Sequence, residues 1–258
     1  MPIGIFDSGI GGLTVFKEIN KSFPLTNLYY LGDTARVPYG NKSPETVIRY
    51  SLECGNYLYG FGIDALVIAC NTASSYALET LKKEFDVPVI GVVEPGVELA
   101  LKITKNRKIG VIGTQGTIKS QSYKKSLLEK ADVMVFQQAC PLFVPLVEEG
   151  MINNHIAKVV VKEYLDDLVG KGIDTLILGC THYPLLKETI KELYPDIQIV
   201  DSSQAITEYL QNHHIPKQEE GIKRIFITDE SPAFEKLKKM LIGNIPVEKL
   251  ELSEICSL

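Results

Sequence analysis

The chain has 258 residues, 45% hydrophobic and 23% charged, with a formal net charge of −5, enough for one large domain or two small ones. The acidic balance, relieved only by short basic clusters at 102–108 and 236–239, argues against nucleic acid as a partner. No apolar run is long enough to cross a membrane, so no membrane partner is expected.

Apolar runs of strand length fall at 3–6, 28–31, 65–69, 87–92, 109–112, 133–136, 175–178, 197–200 and 225–227. Helical spacing falls between them at 13–19, 44–59, 73–85, 156–169, 185–193 and 233–241. This alternation predicts an α/β fold of parallel sheets covered by helices. The first run begins at Ile3, leaving no room for a signal peptide. Five cysteines, an odd number with no CxxC pair, fit reduced thiols in a cytoplasmic protein.

An internal repeat organises these elements. Gly62-Ile63-Asp64-Ala65-Leu66-Val67-Ile68-Ala69-Cys70-Asn71-Thr72 is echoed 110 residues later by Gly172-Ile173-Asp174-Thr175-Leu176-Ile177-Leu178-Gly179-Cys180-Thr181-His182. Ile3-Gly4-Ile5-Phe6-Asp7-Ser8 is echoed at Ile109-Gly110-Val111-Ile112-Gly113-Thr114, and Val37-Pro38 at Val144-Pro145 in a matching loop. Matches in one order at nearly one offset predict two similar α/β domains related by a pseudo-twofold. The first is expected to hold 1–95 plus 206–258, the second 96–205. The stretch 206–258 is expected to pack back as extra helices and a strand.

Each repeated cysteine ends a strand and opens a helix, where open α/β sheets keep their chemistry. A helix amino terminus and nearby donors stabilise a thiolate, and a free thiol titrates near roughly 8.5, so each could serve as base or acid. Two thiols on opposite faces of a small substrate suit moving a proton from one face of a carbon to the other. His182, two residues after Cys180, could assist, and Glu148 could orient it. Asp7-Ser8-Gly9-Ile10-Gly11-Gly12 reads as an anion-binding turn or as a tight strand–helix turn with Asp7 as a cap. It mimics a dinucleotide fingerprint with Asp33 downstream, but Thr14 fills the third glycine position. Cys54 and Cys256 read as structural, and Cys140 has no catalytic neighbour in sequence. The adjacent His213 and His214 point apart with no third ligand, so no metal site is expected.

Five motifs in order resemble the glutamate racemases, of the cofactor-independent aspartate/glutamate racemase family: Gly4-Ile5-Phe6-Asp7-Ser8-Gly9-Ile10-Gly11-Gly12, Arg36-Val37-Pro38-Tyr39-Gly40, Ala69-Cys70-Asn71-Thr72-Ala73, Gly91-Val92-Val93-Glu94-Pro95 and Leu178-Gly179-Cys180-Thr181-His182-Tyr183-Pro184. The resemblance implies an active site in the cleft between two domains, with Cys70 and Cys180 as bases supported by Asp7 and His182, and Glu148 near the latter. It implies substrate contacts at Asp7, Ser8, Tyr39, Gly40, Asn71, Thr72, Thr181 and His182, with Thr114 and Thr117 as second-tier contacts. It further implies L- and D-glutamate as substrates, no cofactor, a homodimer, a role in peptidoglycan synthesis, and no amino-terminal extension for an activating cell-wall precursor. An aspartate racemase, a nucleotide-binding oxidoreductase and a catalytically silent small-anion binder remain open on the residues alone.

Overall fold

The computed structural model describes residues 2–213, 220–230 and 232–256. The chain opens with β1 (Ile3–Asp7), α1 (Leu13–Ser22), β2 (Leu28–Gly32), α2 (Pro44–Tyr59), β3 (Ala65–Ile68), α3 (Asn71–Glu84) and β4 (Val89–Gly91). Helix α4 (Val93–Ile103) leads into β5 (Lys108–Gly113), α5 (Gln115–Ser120), α6 (Ser122–Lys130), β6 (Met134–Ala139), α7 (Phe143–Glu148), α8 (His155–Gly170), β7 (Thr175–Gly179), α9 (Lys187–Leu193) and β8 (Gln198–Asp201). The chain then returns through α10 (Ser202–His213) to β9 (Lys223–Ile227), α11 (Pro232–Leu241), β10 (Val247–Lys249) and α12 (Leu252–Cys256).

The strands form two sheets, ordered β10-β9-β2-β1-β3-β4 and β6-β5-β7-β8, and every pairing is parallel. The segment β2-β1-β3-β4 of the first has the order of the whole second sheet. The register repeats too: Ile3 pairs with Ala65 as Ile109 pairs with Thr175, and Leu66 with Val89 as Leu176 with Ile199. Even the packing recurs. A Cβ on Gly4 would lie 2.8 Å from Ile63 Cδ1, and one on Gly110 would lie 2.5 Å from Ile173 Cδ1. In both halves an isoleucine fills the space that a glycine in the central strand leaves open, so the repeat is a packing unit as well as a chain pattern.

Two local expectations change, and one pair of helices is new. The 143–148 stretch, taken as a loop matching 36–40, is helix α7; Pro38 is extended while Pro145 sits inside the helix, so the repeat diverges there. The carboxy-terminal stretch adds two strands, because β10, with two exposed charged residues of its three, has no apolar run to announce it. Helices α5 and α6, outside the helical stretches read in the sequence, are separated by Gln121, which has a left-handed backbone. Helices α4 and α10, which join the two sheets along the chain, pack on each other. The carboxyl ends of β1, β3 and β7 thereby come to one pocket.

Candidate active site

Asp7 ends β1 fully buried, and its Oδ2 accepts from the backbone N–H groups of Gly9 (3.1 Å) and Gly12 (3.0 Å). The glycine turn thus spends two donors on the protein's own carboxylate, which favours the tight-turn reading over the anion-site reading. Burial raises the Asp7 pKa, outweighing the charge of His182 and the hydrogen bonds. Thr181, from the other sheet, donates its hydroxyl to Asp7 Oδ1 at 3.2 Å.

Cys70 is the N-cap of α3, accepting from the Ala73 N–H at 3.5 Å, with Ser8 Oγ also 3.5 Å away. The helix start favours a thiolate, but burial dominates and, with the nearby charge of Asp7, pushes this thiol up to about 12. The expected lowering is therefore reversed. Cys180 follows β7 and opens a turn and a short 3-10 segment, Tyr183–Leu186, rather than the expected helix, because Pro184 interrupts it; its Sγ lies 3.9 Å from His182 Nδ1. Glu148 Oε1 of α7 lies 3.2 Å from His182 Nε2, an ion-pair distance without hydrogen-bond alignment, so Nε2 has no aligned partner. Burial pulls the His182 pKa down, yet its contacts with Cys180 and Glu148 prevail and carry it up to about 10. The direction of this shift favours the imidazolium form of the ring.

The hydroxyls of Thr72, Thr114 and Thr117 meet across the cleft at 2.9–3.1 Å. Tyr39 and Gly40 form a short 3-10 turn at the pocket edge, with the Tyr39 phenol turned away to Asp33 at 2.5 Å. Asp33 also accepts from Arg36 (2.7 Å) and Thr228 (3.1 Å), so it is held inside the protein and is not the ribose ligand of a dinucleotide site.

Ser8, Tyr39, Gly40, Cys70, Asn71 and Thr72 from the first half, and Thr114, Cys180, Thr181 and His182 from the second, line one pocket of about 300 Å³. Val37, Pro38 and Val144 complete its wall; the repeat had paired Val37 with Val144, without a role for either in the lining. A wider recess of about 640 Å³, lined in part by Glu148, shares Pro38, Gly40, Thr114 and Val144 with it and forms its mouth. Asp7 and Thr117 stand behind this lining. Cys54 and Cys140 are buried elsewhere, and Cys256 is exposed on α12. His213 stacks on Tyr209, and His214 lies outside the described residues. Among the described residues no cluster of three metal-ligating side chains occurs, and no helix is long and apolar enough to cross a membrane.

A family model described as Asp/Glu/Hydantoin racemase matches residues 6–210. The glutamate racemase of Persephonella marina is 66% identical over 259 residues, covering 100% of each chain. A glutamate racemase isoform from Bacillus anthracis superposes with a TM-score of 0.91 at 41% identity, over 97% of each chain. The glutamate racemase of Francisella tularensis, solved in complex with D-glutamate, superposes with a TM-score of 0.89 at 35% identity, again over 97% of each chain. The chain belongs to the Asp/Glu/Hydantoin racemase family, among its glutamate racemases, and is an isomerase.

Proposed function

We propose that this chain interconverts L- and D-glutamate by two-base proton transfer at the α-carbon, with Cys70 and Cys180 as the bases and no cofactor. The observation that carries the reading is the position of the thiols: both end repeat-related strands and both line one buried pocket. With L-glutamate bound, the Cys180 thiolate takes the α-proton while the Cys70 thiol gives one to the opposite face. The product is D-glutamate, with the charge left on Cys70, the state required for the reverse reaction. The buried Cys70 thiol is suited to the acid role. For Cys70 to act as base, the substrate ammonium beside Asp7 would offset the carboxylate that disfavours its thiolate.

Asp7 and His182 serve as polar partners of Cys70 and Cys180, with Glu148 behind His182. Ser8, Tyr39, Gly40, Asn71, Thr72 and Thr181 hold the substrate, and Thr114 and Thr117 support them. Donors at the start of α3 and in the turn after Cys180 would face the carboxylate as charge builds on the α-carbon, and closing the two halves would exclude water. Residues 1–95 with 206–258 would form one closing lobe and 96–205 the other. By the same family resemblance the protein would act as a cytoplasmic homodimer supplying D-glutamate for peptidoglycan.

The test is incubation of the purified protein with L-glutamate, then with D-glutamate, in D₂O without added cofactor. Chiral analysis should show inversion in both directions, with deuterium at the α-carbon. A requirement for pyridoxal phosphate would overturn the mechanism, and faster turnover of aspartate would overturn the substrate.

A further inference from the structure

A two-thiol proton transfer depends on the span between the thiols, and a buried hydrogen-bonded group lies beside it. Asn71, directly after Cys70, is buried, and its side-chain amide is engaged at both ends by the second half of the chain. Its Oδ1 accepts from the Tyr123 phenol of α6 at 2.6 Å, and its Nδ2 donates to Ser202 Oγ, at the start of α10, at 3.0 Å. The Ser202 hydroxyl in turn has the carbonyl oxygen of Leu178, two residues before Cys180, within 3.5 Å. The Tyr123 ring meets the same stretch of β7: a Cβ on Gly179 would lie 3.3 Å from its Cε2. Tyr123 therefore bonds the residue after one thiol and faces the residue before the other. Tyr123 and Ser202 are themselves buried. Burial holds the phenol well above its ordinary pKa, so it remains a donor through neutral pH. The repeat has a reciprocal tie, since Thr181, directly after Cys180, reaches back to Asp7 in the first half.

We propose that the Tyr123–Asn71–Ser202 bridge fixes the separation of Cys70 and Cys180, which makes Tyr123 and Ser202 positioning residues for racemisation. The inference rests on the two-thiol reading above. Neither residue lines the pocket, so each acts through Asn71 and β7. A loosened bridge lets the strand ends drift, and a small misplacement is costly in a step that must take a proton from one face and deliver another to the opposite one.

The experiment compares a reaction that needs both thiols with one that needs a single thiol. Racemisation needs both. Chloride loss from 3-chloroglutamate needs one: a thiolate takes the α-proton, the C–Cl bond breaks, and the resulting 2,3-dehydroglutamate hydrolyses to 2-oxoglutarate and ammonia. In the full chain, Tyr123→Phe and Ser202→Ala should each lower racemisation kcat about tenfold, while kcat for elimination from the L- and D-configured 3-chloroglutamates stays within about twofold. Tyr123→Phe removes a single oxygen, and thermal melts of both variants register any general loss of stability. Unchanged racemisation in both variants, or racemisation and elimination falling in parallel, would overturn the proposal. A wild-type protein that neither racemises glutamate nor eliminates chloride would overturn the underlying two-thiol reading instead.

Discussion

Cys70 and Cys180 occupy equivalent places in the repeat, yet their surroundings differ in charge. Beside Cys70 stand the Ser8 hydroxyl and the buried carboxyl of Asp7. Beside Cys180 stands the His182 ring, backed by Glu148. By register, Gly113 in the second half takes the place of Asp7, and Thr72 in the first takes the place of His182. These differences make two copies of one strand end chemically distinct. Negative charge on Cys180 meets an imidazolium, whereas on Cys70 it meets a carboxyl that only a cationic substrate group would offset. The repeat supplies symmetric positions for a reaction whose two faces are mirror images, and the flanking residues divide the labour.

The largest effect should come from the thiols themselves. Racemisation alone cannot reveal the asymmetry, because an equilibrium constant of unity forces kcat/KM to be equal in both directions. An irreversible one-base elimination can reveal it. Cys70→Ser should retain elimination from the L-configured 3-chloroglutamate and lose it from the D form by about 10²-fold or more, and Cys180→Ser should do the reverse. Racemisation should fall steeply in both. Equal loss of both eliminations in each variant would mean that the thiols work as one coupled unit.

Next come two neighbouring glycines that abut different half-sites. A Cβ on Gly11 would lie 2.5 Å from both His182 Nδ1 and Thr181 Oγ1, whereas one on Gly12 would lie 2.3 Å from Asp7 Cβ. Gly11→Ala should displace the Cys180 side and cut elimination from the L-configured analogue by up to about 10²-fold. Gly12→Ala should act on the D side. If both variants lost the same enantiomer, the division of the pocket drawn here would fail.

Much of this was legible in the sequence because the repeat carried it. The run 62–72 and its echo at 172–182 placed both thiols at strand ends, and buried parallel strands read as continuous apolar segments. Polar edge strand β10 and the break at Gln121 lacked such a signal. The pocket residues that came from motifs do converge, but their local chemistry depended on burial. A helix start suggested a lowered Cys70 thiol, and only the closed packing around it, with Asp7 alongside, makes desolvation prevail. The engagement of Asn71 by Tyr123 and Ser202 joins residues 52 and 131 positions apart, beyond any local pattern.

The His182 ring offers a smaller effect with a pH signature. Its pKa near 10 in the folded chain lies above the roughly 6.5 of a free imidazole. The native state therefore binds more protons than the unfolded state in that window. Stability from this group is fully present below about pH 6.5 and is lost as pH rises through about 10. Urea midpoints of His182→Asn should fall less than those of wild type across this range. Elimination from the L-configured analogue should drop about tenfold, with the D form much less affected. Parallel stability curves for the two proteins would refute the imidazolium assignment.

Glu148 should matter least, for reasons visible in its geometry. It sits 3.2 Å from His182 Nε2 but out of hydrogen-bond alignment, and its side chain is 30% exposed at the pocket mouth. Water therefore screens its charge, and removing that charge should cost no more than about threefold on the L side. Its influence should appear mainly in His182, because its negative charge helps hold that pKa up. In Glu148→Gln the ring should titrate below its wild-type value when followed by NMR, and the pH at which native stability declines should move down with it. The D-side elimination should be unchanged, since no residue on the Cys70 side is bonded to Glu148 among the described contacts. A loss in Glu148→Gln exceeding that of His182→Asn would mean that the carboxylate acts on the substrate directly, and the second half-site would then hold two partners for Cys180 rather than one partner and its support.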